Sequence, residues 1–142
     1  MILIDPPLEG ISQLSLARFA RRAQKLVRVP GEVDVLVTGN RQVRALNRRF
    51  RKKDKATDVL SFHRDGGRGG DIAISASIAA ANAIRYDHAL IEEFKILILH
   101  GILHLAGYDH ERDNGEMAIR ERALRARLGL PGSLTERSER HL

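Results

Sequence analysis

The sequence predicts an α+β fold in which several helices pack against a small mixed β-sheet. Stretches that alternate apolar and polar residues, as strands do, are interspersed with stretches of helical periodicity, without strict alternation of the two kinds. The chain has 142 residues and 43% hydrophobic content, which suits one domain with one core. We therefore expect a single domain over residues 1–142, with residues 131–142 as a frayed tail.

The first third of the chain predicts a helix, a strand and a second helix. Over residues 11–27, apolar residues recur on one face at helical spacing while arginines occupy the other face. After the break at Pro30 and Gly31, EVDVLVTG (32–39) alternates valine with other residues and predicts a strand. Asn40 is then expected to cap a short basic helix.

The middle of the chain predicts two strands around a loop. TDVLSF (57–62) is a strand candidate, and the glycines of HRDGGRGG (63–70) predict a loop. DIAIS (71–75) alternates again, and the alanine-rich residues 75–85 predict a helix. These assignments complete the strands of the expected sheet.

The last third predicts a long helix over about residues 89–106, a helix stop at Gly107 and a final charged helix over about residues 114–128. The longest apolar run lies within the long helix and is interrupted by histidines, well short of the roughly 20 apolar residues of a membrane span. The N-terminal residues MILIDPPLEG lack the basic start of a signal peptide. We expect a cytoplasmic protein.

Charge and cysteine content limit the possible functions. The chain has no cysteine, which excludes disulfides and thiolate metal sites. The net charge is +6, and eight of the fifteen residues in RQVRALNRRFRKKDK (41–55) are Arg or Lys. Such a cluster indicates an acidic partner, most often a nucleic acid.

Three of the six histidines lie in HGILHLAGYDH (100–110). His100 and His104 are four residues apart, so a helix presents both on one face. Gly107 can end the helix in a left-handed conformation and return the chain, which would bring His110 to the same point. Three imidazoles with one open position are typical of catalytic zinc, so we predict one Zn²⁺ per chain on a central helix that carries HxxxH. Nickel and copper are compatible with the same ligands.

The spacing HxxxHxxGxxH also occurs in metzincin peptidases, which carry a glutamate directly after the first histidine as general base. Gly101 occupies that position here, so peptide cleavage is not expected. Asp71, Asp109 and Glu121 are candidate replacements for the base, although capping or support of a metal ligand is the more common role of such carboxylates.

Basic side chains beside a metal point to a phosphodiester substrate, because guanidinium groups bind phosphate and stabilise developing negative charge. Aromatic residues make up only 4% of the chain, and no pattern of paired aromatics predicts a platform for stacking bases. We therefore expect the protein to contact RNA mainly through phosphates, with Arg48, Arg49 and Lys53 as candidate contacts.

Three ordered motifs resemble the YbeY endoribonucleases, which are bacterial rRNA maturation factors: NRRFRKKDKATDVLSF, GGDIAIS and HGILHLAGYDH. Together they span residues 47–110. The chain departs from the usual family pattern at Ala56 and His63, where proline is common.

The resemblance implies that His100, His104 and His110 bind zinc and that Arg51 is needed for RNA cleavage. It implies a single-strand-specific endoribonuclease that matures the 3′ end of small-subunit ribosomal RNA and takes part in ribosome quality control. The implied partners are ribosomal RNA and the small ribosomal subunit, with ribosomal proteins or an assembly GTPase as further candidates and no DNA or membrane. The attacking group is left open between a metal-activated water and the RNA 2′-hydroxyl.

Two other functions are compatible with the same residues. The protein could be a non-catalytic basic ribosome assembly factor in which zinc only stabilises the fold. It could also be a hydrolase of peptides or small amides, an alternative that rests on the metzincin-like spacing alone.

Overall fold

The computed structural model describes residues 1–109 and 111–131. The strands are β1 (Ile2–Ile4), β2 (Glu32–Thr38), β3 (Val59–His63) and β4 (Gly69–Ser75). The helices are α1 (Gln13–Val27), α2 (Asn40–Arg51), α3 (Ala76–Arg85), α4 (Leu90–Leu105) and α5 (Glu116–Leu128), with a 3₁₀ turn at Asp65–Gly67. Apart from Pro131, the predicted tail lies outside the described residues.

The four strands form one mixed sheet in the order β1-β2-β4-β3. β1 pairs with β2 and β2 pairs with β4 in parallel, whereas β3 pairs with β4 in antiparallel orientation. β3 is therefore the edge strand next to β4. The α+β fold predicted from the sequence is confirmed.

One face of the sheet carries the main core. Because successive side chains of a strand point to opposite faces of the sheet, Val33, Val35 and Val37 of β2 all lie on this face. There they pack with Ile72 and Ile74 of β4. Helices α1 and α4 cover them, and α4 is buried along nearly its whole length because it is apolar on all sides. The core therefore fixes α4 against the sheet.

The opposite face is only partly covered. Val43 of α2 packs on Leu60 and Ala73 in a small second cluster, with Leu46 and Phe62 at its border. This coverage lies over β3 and β4, at one side of the sheet. Leu3 of β1 remains 49% exposed.

Three details differ from the sequence-based predictions. β1 was not predicted, because three residues are too few for a periodic signal. The predicted loop 63–70 is shorter, because His63 extends β3 and β4 already begins at Gly69. Asn40 is the first residue of α2 and Gly39 its N-cap; the Asn40 side chain instead accepts a hydrogen bond from Ser75 Oγ.

Within the described residues, no helix is both long enough and apolar enough to span a membrane.

Candidate metal centre and active-site cleft

Helix α4 brings two histidine side chains to one point. The Nε2 atoms of His100 and His104 lie 3.1 Å apart. Their ring centroids are 4.7 Å apart, and the rings are inclined at 73°. His100 is buried, whereas His104 is half-buried. Both rings line one cleft, so their nitrogens face a common space.

The distance between the two nitrogens fits two ligands of one divalent ion. Tetrahedral zinc with imidazole nitrogens at about 2.0–2.1 Å places any two of them about 3.3–3.4 Å apart, close to the observed 3.1 Å. No set of three or more His, Cys, Asp or Glu side chains within residues 1–109 and 111–131 is placed to hold a metal. The third predicted ligand, His110, lies outside the described residues.

The turn after α4 has the conformation expected for a returning chain. Gly107 has φ +101°, in the left-handed region that favours glycine. Its N–H donates to the His104 carbonyl at 3.0 Å, and the Tyr108 N–H donates to the Leu103 carbonyl at 3.1 Å. These bonds end the helix and carry the chain to Asp109, which lines the same cleft as the histidines.

Gly101 faces the sheet, and a side chain there would press on Ile72. A Cβ atom at this position would lie 2.8 Å from Ile72 Cδ1 and 3.0 Å from two further Ile72 carbons. The Gly101 carbonyl accepts a hydrogen bond from Ser61 Oγ at 3.2 Å, which joins α4 to the edge strand. Close packing of α4 on β4 therefore explains why the metzincin glutamate is missing.

A buried ion pair stands behind His100. Glu121 Oε2 of α5 lies 3.5 Å from His100 Nδ1, on the far side of the ring from the cleft. The other oxygen of Glu121 lies 3.6 Å from Arg125 Nη1. Both Glu121 and Arg125 are buried. A carboxylate behind a ligating imidazole is a common arrangement that fixes the orientation of the ring.

The two histidines lie in a cleft of about 570 Å³, hereafter the histidine cleft, which is lined also by Arg51, Asp58, Ser61, His63 and Asp109. Arg51 is the last residue of α2 and is exposed. Its guanidinium can therefore move toward a phosphate held near His100 and His104.

Asp58 is fixed in the histidine cleft from behind. Asn82 Nδ2 of α3 donates to Asp58 Oδ2 at 3.3 Å and to Glu93 Oε2 at 3.2 Å. Glu93 is buried, and its other oxygen lies 2.7 Å from His88 Nε2. This chain of contacts connects a cleft carboxylate to the buried start of α4.

The basic segment beside the cleft is anchored by one exposed ion pair. Arg44 of α2 donates through Nε and Nη2 to the two oxygens of Asp54, at 2.8 and 3.1 Å. These hydrogen bonds lower the pKa of Asp54 below its ordinary value of 3.8. The pair ties α2 to the segment that leads into β3.

Comparison with known proteins finds relatives that match over most of the chain. The family model described as "Endoribonuclease YbeY" matches residues 9–129. A protein of that name from Koribacter versatilis is 56% identical over 139 residues, which cover 97% of this chain and 91% of the relative. Another from Solibacter usitatus is 53% identical over 123 residues, which cover 87% of this chain and 84% of the relative.

The chain belongs to the endoribonuclease YbeY family. A solution structure of TM1509 from Thermotoga maritima matches with a TM-score of 0.56 and 29% identity, and covers 87% of this chain and 85% of that one. The predictions of the YbeY family and of an enzyme of the endoribonuclease class are confirmed.

The predicted site residues of this YbeY-family chain fall into three groups. His100, His104 and Arg51 share the histidine cleft. Within the described part of the chain, Arg48, Arg49 and Lys53 do not line it; they are exposed around the end of α2. His110 lies outside the described residues.

The three candidate carboxylates lie in different places. Asp71 is on the opposite face of the sheet, paired with Arg64. Asp109 accepts the Glu111 N–H at 3.1 Å within a turn, while it also lines the histidine cleft. Glu121 stands behind His100. Asp109 thus makes a local turn contact, and Glu121 contacts His100 and Arg125.

Sequence reasoning missed Asp58 and the contact between His88 and Glu93. Asp58 lies in the TDVLSF motif, but nothing in its spacing relates it to the histidines; only the pairing of β3 with β4 brings it to the cleft. His88 lies in the loop between α3 and α4, and its side chain is only 7% exposed because it contacts Glu93. The five-residue spacing of His88 and Glu93 was an available signal, but a weak one.

Proposed function

We propose that this chain is a zinc-dependent endoribonuclease that cuts single-stranded RNA in the 3′-end maturation of small-subunit ribosomal RNA, in the cytoplasm. The observation that carries the proposal is the pair of facing imidazoles of His100 and His104 in a cleft bordered by Arg51. Family membership supports the role in rRNA processing. The net charge of +6 suits a nucleic-acid substrate on the ribosomal small subunit.

His100 and His104 would hold the metal through Nε2, with His110 as the third ligand. A bound divalent ion supplies a Lewis acid and lowers the pKa of a coordinated water. Glu121 keeps the His100 ring turned toward the cleft, since its carboxylate lies beside Nδ1. The buried Arg125 in turn holds Glu121.

Arg51 would bind the scissile phosphate from the opposite side of the cleft. A guanidinium donates two parallel hydrogen bonds to phosphate oxygens and stabilises the charge that develops on them during cleavage. The neighbouring Arg48, Arg49 and Lys53 would hold flanking phosphates, where contacts add affinity without sequence preference.

Asp58 would accept the proton of the attacking hydroxyl group. It is a carboxylate of the histidine cleft whose position is fixed from behind by Asn82, and a general base must be held within hydrogen-bond reach of its proton. A longer side chain at position 101 could not supply the base instead, because Ile72 occupies the space.

The test pairs metal analysis with cleavage of a single-stranded RNA that spans the 3′ end of a small-subunit rRNA precursor. Wild type, Arg51→Ala, His104→Ala and the control Arg21→Ala, an exposed arginine of α1, are purified in parallel. We expect wild type and Arg21→Ala to hold about one zinc and to cut. Arg51→Ala should hold zinc and lose about 10²–10³-fold in kcat. His104→Ala should lose both zinc binding and RNA cleavage.

Equal cleavage by all four preparations would indicate a contaminating nuclease and contradict the proposal. Full zinc occupancy without cleavage would favour the non-catalytic assembly factor. The products identify the attacking group. A 2′,3′-cyclic phosphate, together with resistance of a substrate lacking the 2′-hydroxyl at the scissile position, indicates attack by RNA. A terminal phosphate monoester, together with continued cleavage of that substrate, indicates attack by water.

A further inference from the structure

A groove of about 1110 Å³ lies on the face of the sheet away from α1 and α4, hereafter the open groove. Its floor is apolar and is formed by Leu3, Leu36 and Ala73 of the strands, with Leu46 and Phe50 of α2 along one side. Phe50 is 58% exposed. Such a contiguous apolar surface on a highly charged chain indicates a binding site.

The open groove continues into the histidine cleft. Arg51, Ser61 and His63 line both. Ser61 and His63 belong to the edge strand β3, and Arg51 is the end of the helix above it. A ligand that occupies the histidine cleft can therefore extend around the sheet edge onto the groove floor.

Two aromatic rings lie next to this junction. The centroids of Phe50 and Phe62 are 5.4 Å apart, and the ring planes are inclined at 56°. Arg49 Cζ lies 5.1 Å from the centroid of the Phe50 ring. Phe50 and Phe62 are twelve residues apart in the sequence, and no aromatic platform was predicted from it. The packing of α2 over β3 brings the two rings together.

The charged groups of the open groove lie close to the aromatic rings, since Phe62 is the cross-strand partner of Asp71. The carboxylates of Asp34 and Asp71 are already paired there: Arg64 bridges them, with 2.9 Å between Arg64 Nη2 and Asp71 Oδ1, and the terminal amine of Met1 lies 2.9 Å from Asp34 Oδ1. Arg51 also lines the groove, and Phe50 beside it is 58% exposed. A cation next to an exposed aromatic side chain suits a nucleotide.

We infer that Phe50 and Phe62 form a stacking subsite for one unpaired base of the RNA, next to the phosphate held in the histidine cleft. The inference rests on the proposed function and deepens it. A base that takes part in a duplex cannot lie on these rings without leaving its stack, whereas an unpaired base can. The subsite therefore supplies a physical reason for preference for single strands.

The test measures binding of the full-length protein to a short fluorescein-labelled RNA with 2′-O-methyl groups and phosphorothioate linkages, which resist cleavage. Phe50→Ala is compared with Phe50→Trp, which keeps a ring, and with Leu14→Ala, which removes an exposed apolar side chain of α1 that is 61% exposed in the wild type. We expect Phe50→Ala to weaken binding about 5- to 100-fold. Phe50→Trp and Leu14→Ala should bind like wild type.

A series of RNAs with one abasic position each locates the stacked base. At one position next to the scissile phosphate, the abasic site should weaken binding to wild type but add little further loss in Phe50→Ala, because both changes remove the same contact. Circular dichroism and thermal unfolding check that Phe50→Ala folds.

The outcomes separate this inference from the proposed function. If wild type cuts RNA and Phe50→Ala binds it equally well, the stacking subsite is wrong and the proposed function stands. If binding depends on Phe50 but the zinc-loaded wild type does not cut, the subsite stands and the catalytic proposal is wrong. If Phe50→Ala instead changes only the oligomeric state or the binding of a protein partner, the open groove is a protein interface and the inference is overturned.

Discussion

The two faces of the sheet place functional side chains in different physical settings. On the α4 face, His100 is buried and has a buried carboxylate behind it. On the α2 face, Phe50 and Arg51 are exposed at a helix end. Burial fixes a side chain but couples it to the stability of the fold, whereas exposure leaves it mobile and nearly independent of the core. The buried setting suits the rigid metal ligands proposed above, and the exposed setting suits the proposed RNA contacts.

The largest effect is expected from the histidine pair itself. His104→Ala removes one of the two facing imidazoles proposed to bind zinc. Zinc affinity should therefore fall by more than the 10- to 100-fold typical of losing an outer partner of a ligand, by roughly 10³-fold or more. Equilibrium dialysis with zinc measures this change directly. Because His104 is only half-buried, the variant should remain folded. Unchanged zinc affinity would show that the ion is bound elsewhere.

The next effect concerns packing on the same face. Gly101→Ala should lower the free energy of unfolding by about 1–3 kcal/mol, because its Cβ would press on Ile72. An alanine in an open helix position would do the opposite and stabilise the protein by up to about 1 kcal/mol. Urea unfolding of Gly101→Ala and of the double variant Gly101→Ala/Ile72→Val tests the cause, since the smaller valine should recover part of the loss. A more stable Gly101→Ala would contradict the close approach of α4 to β4.

A smaller effect is expected from the carboxylate behind His100. Glu121→Gln keeps the size of the side chain but removes its charge, so zinc affinity should fall about 10- to 100-fold while the helical content is retained. Glu116→Gln, in the first turn of the same helix and exposed, serves as the matched control. Equal zinc affinity in Glu121→Gln and wild type would reduce Glu121 to a structural partner of Arg125.

The same contrast between faces explains what the sequence could predict. Regular patterns were sufficient for α1, β2 and α4, because each shows a clear pattern, and the pairing of His100 with His104 followed from their spacing along one helix. The remaining features depend on contacts between elements distant in sequence. Glu121 meets His100 only because α5 folds back on α4, and Asp58 reaches the cleft through the pairing of β3 with β4. Phe50 and Phe62 likewise meet through the packing of α2 on the sheet.

The smallest effect is expected from the exposed ion pair of Arg44 and Asp54 in the basic residues 41–55. Asp54→Asn removes the partner of Arg44, and because both side chains are more than half exposed, the unfolding temperature should fall by a few degrees at most. The pKa of Asp54 is lower in the folded chain than its ordinary 3.8, so its contribution is present above pH 3.8 and disappears as the pH falls below that value. Thermal unfolding of wild type and Asp54→Asn should therefore differ at pH 7 and converge toward pH 3. High salt should also reduce the difference at pH 7, because exposed pairs are screened. A difference that does not shrink at all between pH 7 and pH 3 would mean that Asp54 stabilises the segment before β3 by something other than its charge.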